Sequence, residues 1–167
     1  LFWCDPLDGT HNFLSGIPFF TTSLSEITLT PIRGITFDPI HYEIFSAERD
    51  MGSFLNDQPI HISGVDNLQI ANMGFTRGSK RESKEKLGQI YSSISSEIRS
   101  SRVLGAATLH YAYVACGRFD AMIDIGNQPW DRASGWILIE EAGGRVTDLE
   151  GHTITTETDE IVASNGT

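Results

Sequence analysis

Cysteine is nearly absent from this chain: Cys4 and Cys116 are the only two, and neither belongs to a CxxC pattern. Structural zinc is disfavoured, and a reduced cytoplasmic setting is the default expectation. Positive charge is also scarce. Twelve Lys and Arg stand against 22 Asp and Glu, a formal net charge of −10, which argues against nucleic-acid or anionic-membrane partners. Long apolar runs are missing; stretches such as Trp136–Ile139 are far too short to cross a bilayer. The five histidines, His11, His41, His61, His110 and His152, share no metal-ligand spacing and read as surface or packing residues. The chain carries no initiator methionine and no charged segment followed by an apolar one, so no signal peptide is expected within it.

At 167 residues the chain is long enough to bury one proper core. Residues 1–65 read as β-rich. Ile35 and Phe37 alternate with Thr36, Tyr42–Ala47 is β-prone, and Pro31, Asp38-Pro39, Glu48–Gly52 and Asn56-Asp57 punctuate as turns. Residues 66–167 alternate strand with helix. Leu68–Gly74, Ser101–Leu104, Phe119–Ile125, Arg145–Asp148 and Glu160–Ala163 are expected strands. Leu87, Ile90, Tyr91, Ile94 and Ile98 share one helical face, with Ser79 or Ser83 as cap. Ala107, Tyr111, Val114 and Ala115 mark a helix ended by Gly117; Ala133, Trp136 and Ile137 mark another, stopped by Gly143-Gly144. Trp3, Trp130 and Trp136 are expected to pack, and the cluster Arg77, Lys80, Arg81, Lys84, Lys86 reads as a solvated helix start. Antiparallel β followed by an α/β pattern predicts a mixed α/β fold.

Two stretches carry chemistry. In Asp5-Pro6-Leu7-Asp8-Gly9-Thr10, proline fixes its own φ and biases Asp5 towards an extended backbone. Asp5 is therefore expected to end a strand and Leu7-Asp8 to turn away from it. Gly9 allows close backbone approach, and Thr10 can open a helix whose free amides face an anion. The expected product is an oxygen-lined cation site touching a phosphate-sized pocket. The second stretch is Pro129-Trp130-Asp131-Arg132-Ala133-Ser134-Gly135, with Glu140-Glu141-Ala142-Gly143-Gly144 behind it. Alone, Asp131 reads as a helix N-cap; paired with the first stretch, it reads as a cap that also offers an oxygen to a metal.

The ordered pair resembles the inositol monophosphatase family of the lithium-sensitive, magnesium-dependent sugar phosphatase superfamily. DPLDGTHNF at Asp5–Phe13 looks like its first metal motif and WDRASGWILIEEAGG at Trp130–Gly144 like its second, with Gly52-Ser53-Phe54 and Gly105-Ala106-Ala107 falling on similar segments. The resemblance implies a layered helix–sheet sandwich and a phosphomonoesterase acting on a small phosphorylated polyol or sugar, homodimeric when complete. It implies Mg²⁺ held by Asp5, the Leu7 carbonyl, Asp8 and Asp131, and phosphate held by the Gly9 and Thr10 amides. The Thr10 hydroxyl would orient water, and Asp8, the Ala107 backbone and Asp124 would touch substrate hydroxyls. Asp124 stands where relatives carry glutamate and Gln128 where the animal enzymes carry histidine, so inositol monophosphate itself is not fixed as the substrate. The family's remaining metal ligand, an upstream glutamate, has no counterpart among Leu1–Cys4, so an N-terminally truncated sandwich is expected. Fructose-bisphosphate, histidinol-phosphate and 3′-phosphoadenosine nucleotide phosphatases are alternatives within the superfamily, and a dead, phosphoinositide-sensing module is the non-enzyme alternative. Haloacid-dehalogenase chemistry fits less well, since its aspartates stand two residues apart on one strand face.

Overall fold

The computed structural model describes all 167 residues. Strands β1 (Phe2–Asp8), β2 (Thr21–Ile27), β3 (Pro31–Asp38), β4 (Glu43–Glu48), β5 (Gly52–Leu55) and β6 (Gln58–Pro59) pair antiparallel in chain order. The turns fall where the sequence puts them, except that Pro31 opens β3 rather than standing before it. Asn56 and Asp57, with φ of 47° and 63°, make the two-residue link between β5 and β6; both conformations are left-handed, as the twist of a tight hairpin requires.

The faces of this sheet invert a simple hydrophobic reading. Thr21, Ser23, Ser25, Thr36 and Ser53 are buried, whereas Leu24, Ile35 and Ile44 on the opposite face are exposed. Small polar residues line the inner face because a helix lies against it. A Cβ on Gly34 would stand 2.6 Å from Ile137 Cγ2 and 2.8 Å from the Ser134 backbone, and Thr36 Oγ1 meets Ser134 Oγ at 3.0 Å.

The second sheet runs β10 (Arg145–Thr147), β11 (Glu160–Ser164), β9 (Ala121–Ile125), β7 (Asn72–Arg77), β8 (Ser100–Arg102). β7 is parallel to β8 and β9, and the other pairs are antiparallel. Met122 and Ile123, adjacent on β9, belong to different cores. The Met122 side meets α3 (Ala107–Ala115) and α4 (Pro129–Glu141); the Ile123 side holds Leu87 of α2 (Arg81–Ile94). The layers are thus sheet, helices, sheet, helix, the mixed α/β sandwich expected. Helices α3 and α4 approach closely enough that a Cβ on Gly135 would stand 2.1 Å from Tyr111 Cβ.

Several local expectations shift. Leu68–Ile70 is a 3₁₀ turn, its cap Asn67 accepting from the Gln69 amide, and the strand begins only at Asn72. Neither Ser79 nor Ser83 caps α2; Lys80 occupies that position without a side-chain bond, and Ser83 lies buried inside the helix. Ile98 sits beyond the end of α2 yet is 9% exposed in the core it was expected to join. Trp136 is buried, but Trp130 is 43% exposed and packs no core.

Candidate active site

Asp5 does not end its strand: β1 continues through Pro6 to Asp8. The proline acts through the register instead. Asp5 pairs with Ser23 and Asp8 with Thr21, so three residues of β1 span two of β2. This bulge carries one extra residue and resets the two-residue alternation. Ser23 and Thr21 lie on one face, so Asp5 and Asp8, three apart in sequence, do too. The Leu7 amide donates to Asp5 Oδ1 at 3.0 Å and fixes the bend.

Gly9 follows with φ of 80°, capping the short α1 (Thr10–Leu14). A Cβ there would stand 2.9 Å from the Phe19 carbonyl and 3.1 Å from Ala106 Cβ, so this turn lies directly against the loop entering α3. Asn12 ties the two together, its amide donating to the Phe19 carbonyl at 2.8 Å and the Leu104 carbonyl at 2.6 Å. The Thr10 hydroxyl donates to the Leu7 carbonyl at 2.8 Å.

The start of α3 has no cap of its own, since its N-cap is Ala106. Asp8 supplies one from across the fold: its Oδ2 accepts from the Thr108 amide at 2.7 Å and the Thr108 hydroxyl at 2.6 Å. Thr108 in turn is hydrogen-bonded to Thr21. Ala107 is the first residue of the helix, buried beside this contact.

Asp131 arrives from the third side, on α4. It is not the N-cap but the third residue of the helix. Gln128 is the cap, Pro129 takes the first position, and Asp131 Oδ2 accepts from the Gln128 amide at 2.8 Å, closing a capping box. Burial pushes the Asp131 carboxyl well above its usual range, and the charges of Asp8 and Asp5 and direct contact with Asp5 push the same way. Burial likewise raises Asp8 to about 6, against the Thr108 bonds that hold it down.

Three carboxylates lie together, partly buried, and the charges of Asp5 and Asp8 raise the Asp131 carboxyl. Their donor set is oxygen alone, with the Leu7 carbonyl adjacent, which matches the hard-oxygen preference of Mg²⁺. The tightest group of three acidic or histidine donors lies elsewhere, at Asp148, Glu150 and His152. There Asp148 accepts from the Glu150 and His152 amides and meets the His152 ring, an exposed turn satisfied by its own hydrogen bonds.

Asp124 sits deeper than a surface contact. It is fully buried, its Oδ2 accepting from the Tyr111 hydroxyl at 2.9 Å and its Oδ1 from Asn127 at 2.7 Å, and burial raises it to about 6. Thr108, Tyr111 and Asn127 are supporting residues outside the two motifs, and Asn12 is one inside the first. Asn127 stands three residues before Trp130, where the second motif opens, but the other pairings depend on chain segments far apart. The acidic pair behind α4 is structural: Glu140 takes Arg49 at 2.6 Å and the Trp136 indole at 2.7 Å, while Glu141 accepts from the Asp50 and Gly52 amides.

Comparison with known proteins agrees with this arrangement. The sequence model described as the inositol monophosphatase family matches residues 1–167. An inositol-1-monophosphatase of Rhizobium meliloti is 39% identical over 167 residues, covering 96% of this chain and 61% of the relative. A Nus factor SuhB of Pseudomonas aeruginosa is 36% identical over 165 residues, with the same coverage. The solved inositol monophosphatase of Anabaena (Nostoc) sp. PCC 7120 superposes with a TM-score of 0.95 at 34% identity, over 99% of this chain and 67% of that one. The chain therefore spans about 61% of the length of these sequence relatives. Matched from its first residue to its last, it belongs to the inositol monophosphatase family.

Proposed function

We propose that the protein containing this chain is a Mg²⁺-dependent phosphomonoesterase acting on a small phosphorylated polyol or sugar. The observation that carries this is the bulge in β1, which turns Asp5 and Asp8 to one face, with Asp131 close enough for their charges to raise its carboxyl. Asp5, the Leu7 carbonyl, Asp8 and Asp131 would hold the metal. Bound there, Mg²⁺ supplies the positive charge that a phosphate and an attacking water both require.

The protein groups divide the remaining work. With Oδ2 of Asp8 committed to Thr108, its Oδ1 is the oxygen left for a cation or a substrate hydroxyl. The Thr10 hydroxyl gives its proton to Leu7, which leaves its oxygen as an acceptor that orients a water. The Gly9 and Thr10 amides are assigned to the phosphate, and Ala107 and Asp124 to the hydroxyl side, on family likeness. With every carboxylate occupied as a ligand or hydrogen-bond acceptor, water rather than Asp5 or Asp8 is the nucleophile. Homodimerisation of the complete protein is carried over on the same likeness.

Phosphate release by the full-length protein, with and without Mg²⁺, tests the reading. Inositol monophosphate, fructose bisphosphate, histidinol phosphate and 3′-phosphoadenosine 5′-phosphate form the panel. Metal-dependent turnover favouring a polyol or sugar phosphate is expected; a higher kcat/KM for the nucleotide would reverse the substrate assignment. No turnover of any of them would favour the phosphoinositide-sensing alternative.

A further inference from the structure

The inner face of the first sheet carries a row of polar side chains in register. Asp5 on β1 pairs with Ser23 on β2, and Ser23 pairs with Thr36 on β3. Residues directly opposite in an antiparallel pair share a face, with Cβ atoms about 5 Å apart. Thr36 then reaches α4 through the Ser134 hydroxyl at 3.0 Å, and Ser134 follows Asp131 by three positions on that helix. The row therefore begins at one candidate metal ligand and returns, through the helix, to within one turn of another.

Ser23 is the member of this row with nothing to hold. It is 2% exposed, and its Oγ has no hydrogen-bond partner. A buried hydroxyl left without a partner is costly, so its presence calls for a reason. Size supplies one, since α4 lies too close to this face for larger side chains. Ser25 and Ser53 are buried without partners in the same way, and a small side chain suffices to explain them. Ser25 pairs with Trp3 and Ser53 with Ala47, neither of which offers a side-chain acceptor. Of the three, Ser23 alone stands opposite a carboxylate.

The neighbouring pair shows what a hydroxyl does there. Thr21 stands opposite Asp8 and is hydrogen-bonded to Thr108, whose own hydroxyl donates to Asp8 Oδ2 at 2.6 Å. Hydroxyls of β2 thus face both carboxylates of β1, but only the one opposite Asp8 is engaged. On the Ser23 row, the Thr36 hydroxyl is already bonded to Ser134. Asp5 has acceptor capacity to spare. It takes the Leu7 amide at Oδ1 and touches Asp131, whereas a carboxylate offers about four lone-pair sites.

We infer that Ser23 is a positioning residue for the candidate metal site: its hydroxyl donates to the Asp5 carboxylate when a cation is held there. The bond would orient Asp5 as Thr108 orients Asp8. This role rests on the metal-dependent reading of the site. Hydrogen bonds to ligating carboxylates carry about tenfold or more of a metal's affinity.

Mg²⁺ binding to the full-length protein is measured by titration calorimetry, without substrate, in the wild type, Ser23→Ala and Ser25→Ala. The Kd for Mg²⁺ is expected to rise about tenfold in Ser23→Ala and to keep its wild-type value in Ser25→Ala. The metal-free Tm of Ser23→Ala is expected to equal or exceed that of the wild type, because no bond is lost with that hydroxyl. An unchanged Kd in Ser23→Ala overturns the role and leaves the metal reading standing. Equal weakening in both variants also overturns it, since packing under α4 would be the common cause. So does a metal-free Tm well below the wild type, which would mean that the hydroxyl is bonded before the metal arrives. No Mg²⁺ binding by the wild type overturns the metal reading itself, and the role of Ser23 falls with it.

Discussion

Asp8 and Thr108, one hundred positions apart, are joined twice through a single oxygen: the Thr108 amide and hydroxyl both donate to Asp8 Oδ2. The carboxylate thereby caps α3 and is aimed by it, with Oδ1 left over. An α3 that began elsewhere would move a candidate metal ligand, so the packing of the helix and the geometry of the site are one constraint.

Thr108→Val removes the hydroxyl while keeping the shape. It leaves the amide bond in place but strips Asp8 and Thr21 of a buried partner, which costs about 1–3 kcal/mol. The expected outcome is a lower Tm together with a weaker response to Mg²⁺, read as a raised metal concentration for half-maximal turnover in the full-length protein. A lower Tm with unchanged metal dependence would reduce Thr108 to packing.

Asp131→Asn separates the cap from the ligand. The amide oxygen still accepts from the Gln128 amide, so the capping box survives, while one negative charge leaves a cluster that contains Asp5 and Asp8. Without metal, the variant is expected to be at least as thermally stable as the wild type. The Mg²⁺-induced rise in Tm should be lost, and turnover should fall by roughly a hundredfold or more, the scale of losing one preorganised electrostatic contact in a metal site. Near-normal turnover with a lowered Tm would return Asp131 to a plain helix position.

The sequence showed which acidic residues stand together in the candidate site better than how they are held there. Asp5, Asp8 and Asp131 were legible because proline, glycine and acidic spacing are local signals. The bulge that turns Asp5 and Asp8 to one face was not, because it is a property of pairing with Thr21 and Ser23. In the same way Ile35–Thr36–Phe37 announced a strand, but Thr36 rather than Ile35 faces the core, since α4 comes too close to Gly34 for larger side chains. Asp131 was read as the cap although the helix starts three positions earlier, because Gln128 is an unusual cap and only Pro129 betrays the true start. Lys80 and Lys86 were read as solvent-facing charge at a helix start, and both are exposed at the start of α2.

Gly135 lies within the second motif, where it is easily taken for a catalytic signature. Its position against Tyr111 Cβ gives it a packing role. Gly135→Ala forces α3 from α4, an overpacking cost of about 1–3 kcal/mol or more, and the strain falls on the residue whose hydroxyl holds Asp124. A marked loss of Tm by calorimetry is expected, with turnover impaired even below the melting range. A variant as stable as the wild type would show that the two helices can shift without cost.

Two buried groups give stability opposite dependences on pH in the same window. His110 is fully buried among Phe19 and Phe119, neither ring nitrogen has a partner, and burial lowers it to about 4. The folded protein keeps it neutral while the unfolded chain protonates it near the ordinary histidine value of 6.5. Its contribution is therefore present above that value and lost as pH falls towards 4. Asp124 behaves the other way. Its pKa is raised to about 6 from 3.8, so the unfolded chain releases its proton first. Its contribution is present below 3.8 and lost as pH rises through about 6. Tm measured from pH 4 to 7 in His110→Leu and Asp124→Asn separates them. Relative to the wild type, His110→Leu gains stability towards the acid end and Asp124→Asn gains it towards the neutral end. Parallel curves for the wild type and His110→Leu would mean that His110 takes up its proton in the folded state as readily as in the unfolded chain, against the isolation its buried ring shows.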